Sequence, residues 1–139
     1  MELLVALTMA TIVLSFALPA VSRGVRQAKA DRAGFAMKQD LEQAFSLAMR
    51  ERKPVILAFD TINRVYTIAD RASGTIVVRR AMGPTTSEFG LTRLGSSVTS
   101  ATIYPNGLAS SAIELFLEVG DHRRQLRLSR GGHVRVTSF

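Results

Sequence analysis

The chain opens on MELLVALTMATIVLSFALPAVS, residues 1–22, in which Glu2 is the only charged side chain. Leu3 to Ser22 carry no charge at all, and about 20 such residues suffice for a helix to cross a hydrocarbon core. Lipid offers backbone N–H and C=O groups no water, so a segment that stays in it must be helical. Two other readings compete. A cleaved secretory signal wants basic residues ahead of a shorter apolar run, and none precede this one. A buried helix of a soluble protein wants a polar face, and this stretch has none. The segment therefore reads first as a membrane span.

Two residues stand out within it. An ionisable group at the edge of an apolar run is unfavourable unless paired, neutralised or held at the interface. Glu2 is expected either in the headgroup layer or against a positive group, such as an α-amino terminus, of a neighbouring chain. Pro19 removes one backbone hydrogen bond and loosens or kinks the helix, which transmembrane helices tolerate better than soluble ones.

Outward from the span, residues 23–53 read RGVRQAKADRAGFAMKQDLEQAFSLAMRERK. Ala30, Gly34, Met37, Leu41, Phe45 and Ala48 recur at three- and four-residue steps, one apolar stripe of an amphipathic helix. Arg32, Lys38, Asp40, Glu42 and Arg50 are expected on the opposite face. No proline interrupts the pattern before Pro54, so the segment continues the membrane helix and lays its stripe on whatever folds next. Arg23, Arg26, Lys29 and Arg32 form a solvated face or lie on anionic headgroups. Taken alone, this basic flank argues that the chain beyond the span is cytoplasmic.

Residues 54–139 turn strand-like. Val55 to Phe59 pairs with Arg64 to Ala69 across an Asp60–Asn63 turn, and Ser73-Gly74 leads into Thr75 to Arg80. Met82 to Ser97, rich in Gly, Pro, Ser and Thr, is expected to be a long loop. Ala101 to Tyr104 precedes a Pro105-Asn106-Gly107 turn. Ile113, Leu115, Leu117 and Val119 alternate with Glu114, Phe116 and Glu118 as a half-buried strand. Leu126 and Leu128 alternate with polar neighbours, and Gly131-Gly132 turns the chain into Val134 and Val136. The fold class is α+β: a long N-terminal helix, transmembrane (1–22) then amphipathic (23–53), packed on a small antiparallel β domain (54–139).

Composition narrows the chemistry. The 139 residues contain no cysteine, which excludes a disulfide scaffold, a thiolate metal centre and a cysteine nucleophile. His122 and His133 sit in or beside turns, and the adjacent Asp121-His122 pair is no triad. The glycines form no phosphate-binding pattern. No catalytic residue, metal ligand or cofactor is expected, and the chain does not read as an enzyme. Eighteen Lys and Arg against eleven Asp and Glu give a net charge of +7. Arg123, Arg127 and Arg135 share the polar parity of the last strands. They form either a phosphate-binding patch for nucleic acid or ion pairs with Glu114, Glu118 and Asp121.

The stretch ELLVALTMATIVLSFALPA resembles the N-terminal segment of type IV pilins and pseudopilins. Glu2 falls on their near-terminal glutamate and Pro19 on their helix-kinking proline. The rest, through ERKPVILAFD, RVYTI, TIYPNGLASSAIELFLE and RRQLRLSRGGHVRV, is similar to the GspH/FimT group of minor pilins. The resemblance implies a pilin-like fold, a single-pass anchor in the bacterial inner membrane, a cytoplasmic N-terminus and a periplasmic β domain. It implies partners too: other pilins or pseudopilins, the inner-membrane assembly platform, membrane lipid, and the prepilin peptidase if a leader exists. That family's basic leader and cleavage glycine do not precede Met1. Either the start lies further upstream or the chain is never processed; a leader would also supply the cytoplasmic positive charge. In such a filament Glu2 would neutralise a neighbour's amine, Pro19 would let the helix adapt between bilayer and bundle, and the Met82–Ser97 loop would face partners. The implied function is that of a minor pseudopilin of a type II secretion system, at or near the pseudopilus tip. The alternatives are a FimT/FimU-like minor pilin of a type IV pilus, binding DNA in transformation, and a membrane-anchored periplasmic binding domain unrelated to filaments.

Overall fold

Uninterrupted helical residues carry the chain from its apolar start into its core. In the computed structural model, which describes residues 2–86 and 88–138, helix α1 spans Glu2–Glu51. Positions 1, 87 and 139 lie outside the described residues, so the first residue of the expected span and one position of the expected loop are not tested. The helix stops two residues short of the expected boundary. Arg52 takes a left-handed conformation (φ 55°), the geometry that closes helix C-termini, and Pro54 could not continue the ladder.

Eight strands follow: β1 (Val55–Asp60), β2 (Val65–Asp70), β3 (Ile76–Ala81), β4 (Arg93–Ser96), β5 (Ser100–Ile103), β6 (Ile113–Val119), β7 (His122–Leu128) and β8 (Val134–Ser138). They make two antiparallel sheets, ordered β3-β2-β1-β5 and β4-β6-β7-β8. The β1–β2 hairpin forms where the sequence puts it. Asp60 accepts hydrogen bonds from the Asn63 and Ile62 N–H groups at 2.9 and 3.1 Å, and these donors, Asn63 first, hold its carboxyl below the usual range. Thr75 lies just ahead of β3 rather than in it.

The lower half of α1 packs on β6, β7 and β8 of one sheet and on β1 and β5 of the other. The expected stripe is the buried face: Ala30, Met37, Leu41, Phe45 and Ala48 are in the core, widened by Ala33 and Ala44. Ile113, Leu115, Leu117, Leu126 and Leu128 meet it from the sheet. Phe45 fills the space beside Gly132. A Cβ there would lie 2.9 Å from the ring, and Gly132 already has φ 83°, a conformation glycine adopts without penalty.

Two expectations are corrected. Met82–Ser97 is not simply a loop displayed to partners. Met82, Phe89, Leu91 and Leu94 are buried, and Arg93–Ser96 pairs with β6 as strand β4. Gly95, which reads as a loop residue, lies opposite Phe116, whose Cβ is 3.4 Å from where a Cβ on Gly95 would sit. Composition marks the segment's irregular backbone but not the four apolar anchors spaced along it.

Asp40 is also misplaced by the helical pattern: it is 5% exposed rather than on the solvent face. Arg80 of β3 reaches it through Nε and Nη2 at 2.8 and 3.1 Å, and the Tyr66 hydroxyl of β2 donates to the same carboxylate. The paired Asp40 raises the Arg80 pKa above its ordinary value. Burial, then the Asp40 carboxylate, raises that of Tyr66. Arg80 also lies over the Phe89 ring at 5.9 Å, a cation–π contact tying the irregular segment to the same point. A carboxylate one residue before Leu41 is buried because partners from two strands reach it.

Asp40→Ala leaves Arg80 and Tyr66 without their shared acceptor. It should destabilise the β domain by about 2–3 kcal/mol, less than a fully buried pair because Arg80 is partly solvated. Urea titration of the full chain in detergent, followed by tyrosine fluorescence, checks this. Arg123→Ala, at an exposed ion pair, should stay within about 0.5 kcal/mol of the unsubstituted chain.

Candidate functional site

The upper half of α1 has no core to enter. From Glu2 to Gly24, 23 residues or about 35 Å of helix, every side chain whose exposure is described lies open. Leu3, Leu7, Met9, Val13 and Val21 are each 65–86% exposed. The most apolar window of the helix reaches a mean hydropathy of 2.2 with none of it buried. So much apolar surface is stable only in lipid or against other apolar helices.

The four hydroxyls on this rod are satisfied internally. The Thr8, Ser15 and Ser22 hydroxyls donate to the carbonyls of Val5, Thr11 and Pro19 at 2.8, 2.7 and 2.9 Å, and Thr11 donates to Leu7. None needs water, as a segment in hydrocarbon requires. Glu2 sits in the first turn, where a carboxylate complements the helix dipole, and it makes no ion pair among the described residues. The helix runs through Pro19, which has no N–H for the Ser15 carbonyl. Glu2 and Pro19 thus share one exposed rod, about five turns apart.

The arginine-rich edge is more constrained than its composition suggests. Glu118 faces Arg123 and Glu114 faces Arg127 in the β6–β7 register, with nitrogen–oxygen distances of 3.3 and 3.1 Å. Arg135 of β8 lies opposite Arg127 and has no ion pair among the described residues. The three arginines therefore share one sheet face, two of them already paired with carboxylates. Asp121 takes no part in these pairs. His122 begins β7 opposite Val119 and His133 lies in the β7–β8 turn, so the fold does not bring them together. Among the described residues no group of His, Asp or Glu could hold a metal.

Sequence reasoning missed a second tie. Arg124 projects from β7 to Asp31 of α1, at 2.6 Å, with its side chain 12% exposed. Its parity with Leu126 and Leu128, the inward face, is the signal that could have found it. With the Asp40 cluster, this pair fixes where the helix leaves the domain.

No protein-family model matches the chain, and no curated protein is significantly similar to it in sequence. Solved structures are similar in fold. The minor pseudopilin EpsH of the Vibrio cholerae type 2 secretion system matches with a TM-score of 0.61 at 13% identity, over 79% of this chain and 97% of that one. The type IV minor pilin FimU of Pseudomonas aeruginosa matches in two crystal forms. One gives a TM-score of 0.58 at 19% identity over 76% and 90% of the two chains. The other gives 0.59 at 18% over 86% and 92%. The chain has the type IV pilin-like fold of minor pilins and pseudopilins.

Membrane residence of the rod is testable on one residue. Val13→Arg places a charge mid-span and should disfavour insertion by about 2.5–3.5 kcal/mol. Alkaline extraction of membranes should leave the unsubstituted chain in the pellet and release a measurable share of the variant.

Proposed function

We propose that this chain is a non-enzymatic subunit of a pilin-like filament, and specifically a minor pseudopilin of a type II secretion system, incorporated at or near the tip of the periplasmic pseudopilus. One observation carries the reading: an apolar rod, exposed wherever its side chains are described, with a lone acid at its end and continuous with a two-sheet domain of minor-pilin fold. The rod anchors the chain in the inner membrane, N-terminus cytoplasmic and β domain periplasmic, until the assembly platform extracts it. It then packs against the equivalent helices of sister subunits, with the prepilin peptidase acting first where a leader precedes it. In the bundle Glu2 meets the free α-amine of a neighbour, which offsets the penalty of burying either charge alone. Pro19, by leaving the Ser15 carbonyl free, lets the rod change curvature between bilayer and bundle.

The absence of cysteine gives a clean assay. With a cysteine at Leu7 or Val13 and a matching cysteine in the N-terminal helix of a sister pseudopilin, an added mild oxidant should join the two thiols as a disulfide in sheared filaments. Glu2→Ala should keep it in the membrane but lower its incorporation about tenfold, one unpaired buried charge. Unchanged incorporation and secretion in the Glu2→Ala strain would favour a membrane-anchored binding domain instead.

A second reading is supported by the FimU likeness and the arginine-bearing face of the second sheet: a minor pilin of a type IV pilus that contacts DNA. The carboxylates facing Arg123 and Arg127 weigh against it, since paired guanidiniums release fewer counterions on meeting phosphate. Under the pseudopilin reading, duplex DNA at low salt should bind no more tightly to the chain than to its Arg127→Ala, Arg135→Ala variant. Salt-sensitive binding lost in that variant would shift the assignment to the pilus.

A further inference from the structure

Four strands end the two sheets, and β3 leaves the longest edge open. β5 is covered by the following chain, where Ile103 bridges Ala109 and Ser110 N–H donates to Thr102. β4 is only four residues long. β8 lies beside the helix, its Val136 facing Gly34. β3 has six residues, ends its sheet, and exposes about half of both Ile76 and Val77.

Its hydrogen-bonding phase is set by one contact. Met82 N–H donates to Arg64 at 2.9 Å, so Arg80 and Val78, opposite Tyr66 and Ile68, turn their peptide groups toward β2. The peptide groups of Arg79 and Ala81 then face the open side, where no backbone hydrogen bond reaches them among the described residues. A register shift at Ile68/Ala69 marks the start of the strand, and beside it lies an open groove of about 390 Å³, lined by Leu47, Val55, Val77, Glu51, Lys53 and Asp70 among others.

Charge selects the occupant. Two carboxylates near this edge are paired with arginines, and a third, Asp70, keeps its charge because its donors are neutral. Asp40 holds Arg80, Glu51 meets Arg50 at 3.6 Å, and Asp70 accepts from Ala72 N–H and Ser73 Oγ at 2.9 and 3.0 Å. Arg52, Arg71 and Arg79 are exposed and have no ion pair among the described residues. An uncapped strand edge pairs with extended backbone, the groove accepts apolar side chains, and the free cations favour acidic ones.

We propose that the open edge of β3, with the groove beside its first residues, is a strand-addition site for an extended segment of another protein that alternates apolar and acidic side chains. It does not depend on the filament reading, since any partner presenting such a segment would dock there. The added strand bonds to the Arg79 and Ala81 peptides, sets one apolar side chain in the groove between Leu47 and Val77, and turns its carboxylates toward Arg71 and Arg79.

The test uses the full chain in detergent and a labelled synthetic peptide alternating valine and glutamate, with a valine–lysine counterpart and a short duplex DNA as competitors. The valine–glutamate peptide should bind saturably and slow hydrogen exchange at the Arg79 and Ala81 amides, while the lysine peptide does neither. Arg79→Glu should weaken binding about fivefold, and Arg79→Pro, which also removes an outward N–H, about tenfold. Should the proline variant lose its native circular dichroism, Arg79→Glu and the amide protection decide. The proposal is overturned if no acidic peptide binds, if binding leaves the β3 amides unprotected, or if DNA alone occupies this edge.

Discussion

A single rod carries two kinds of surface, and that constraint shapes the molecule. Helix α1 carries no charged side chain from Leu3 to Ser22 and is two-faced from about Ala30 onward, so neither half can do the other's work. The upper half cannot pack on the domain without leaving most of its surface exposed. The lower half cannot enter lipid because Arg32, Glu42 and Arg50 line its outer face. The domain therefore clothes only the stripe that begins near Ala30.

What holds the domain to that stripe is apolar burial fixed in register by two polar ties. Leu41, Met37 and the leucines of β6 and β7 supply non-directional stabilisation, which alone would tolerate sliding. The Asp40–Arg80–Tyr66 cluster joins the helix to β2 and β3, and Asp31–Arg124 joins it to β7. One tie lies in each sheet's territory. Together they set the rotation and height of the helix, because a slide by one turn would strand a carboxylate beside apolar side chains.

The charge pattern of the surface looks different once pairs are assigned. Fifteen arginines suggest a basic patch near the C-terminus. There, two of the three outward arginines face glutamates, whereas Arg52, Arg71 and Arg79, around the end of α1 and the β3 edge, make no ion pair among the described residues. Composition counts charges, but a partner meets only those that no neighbour has already neutralised.

The apolar rod, its acid and proline, the amphipathic stripe and the alternating strands were all legible in the chain's residues, because each rests on periodicity along a local segment. Six of the eight strands lie within a residue or two of their alternating patterns; Arg93–Ser96 reads as loop, and β7 begins at His122, ahead of the Leu126 and Leu128 alternation. Other features came from the folded arrangement: the burial of Asp40, the inward turn of Met82, Phe89 and Leu91 from a stretch of loop composition, the strand at Arg93–Ser96, and the pairing of the arginines. Each of these depends on residues far apart in the chain. Asp40 finds Arg80 some forty positions away, and β4 exists because β6 offers it a ladder. Local pattern fixes what a segment can be; burial and pairing depend on what it meets.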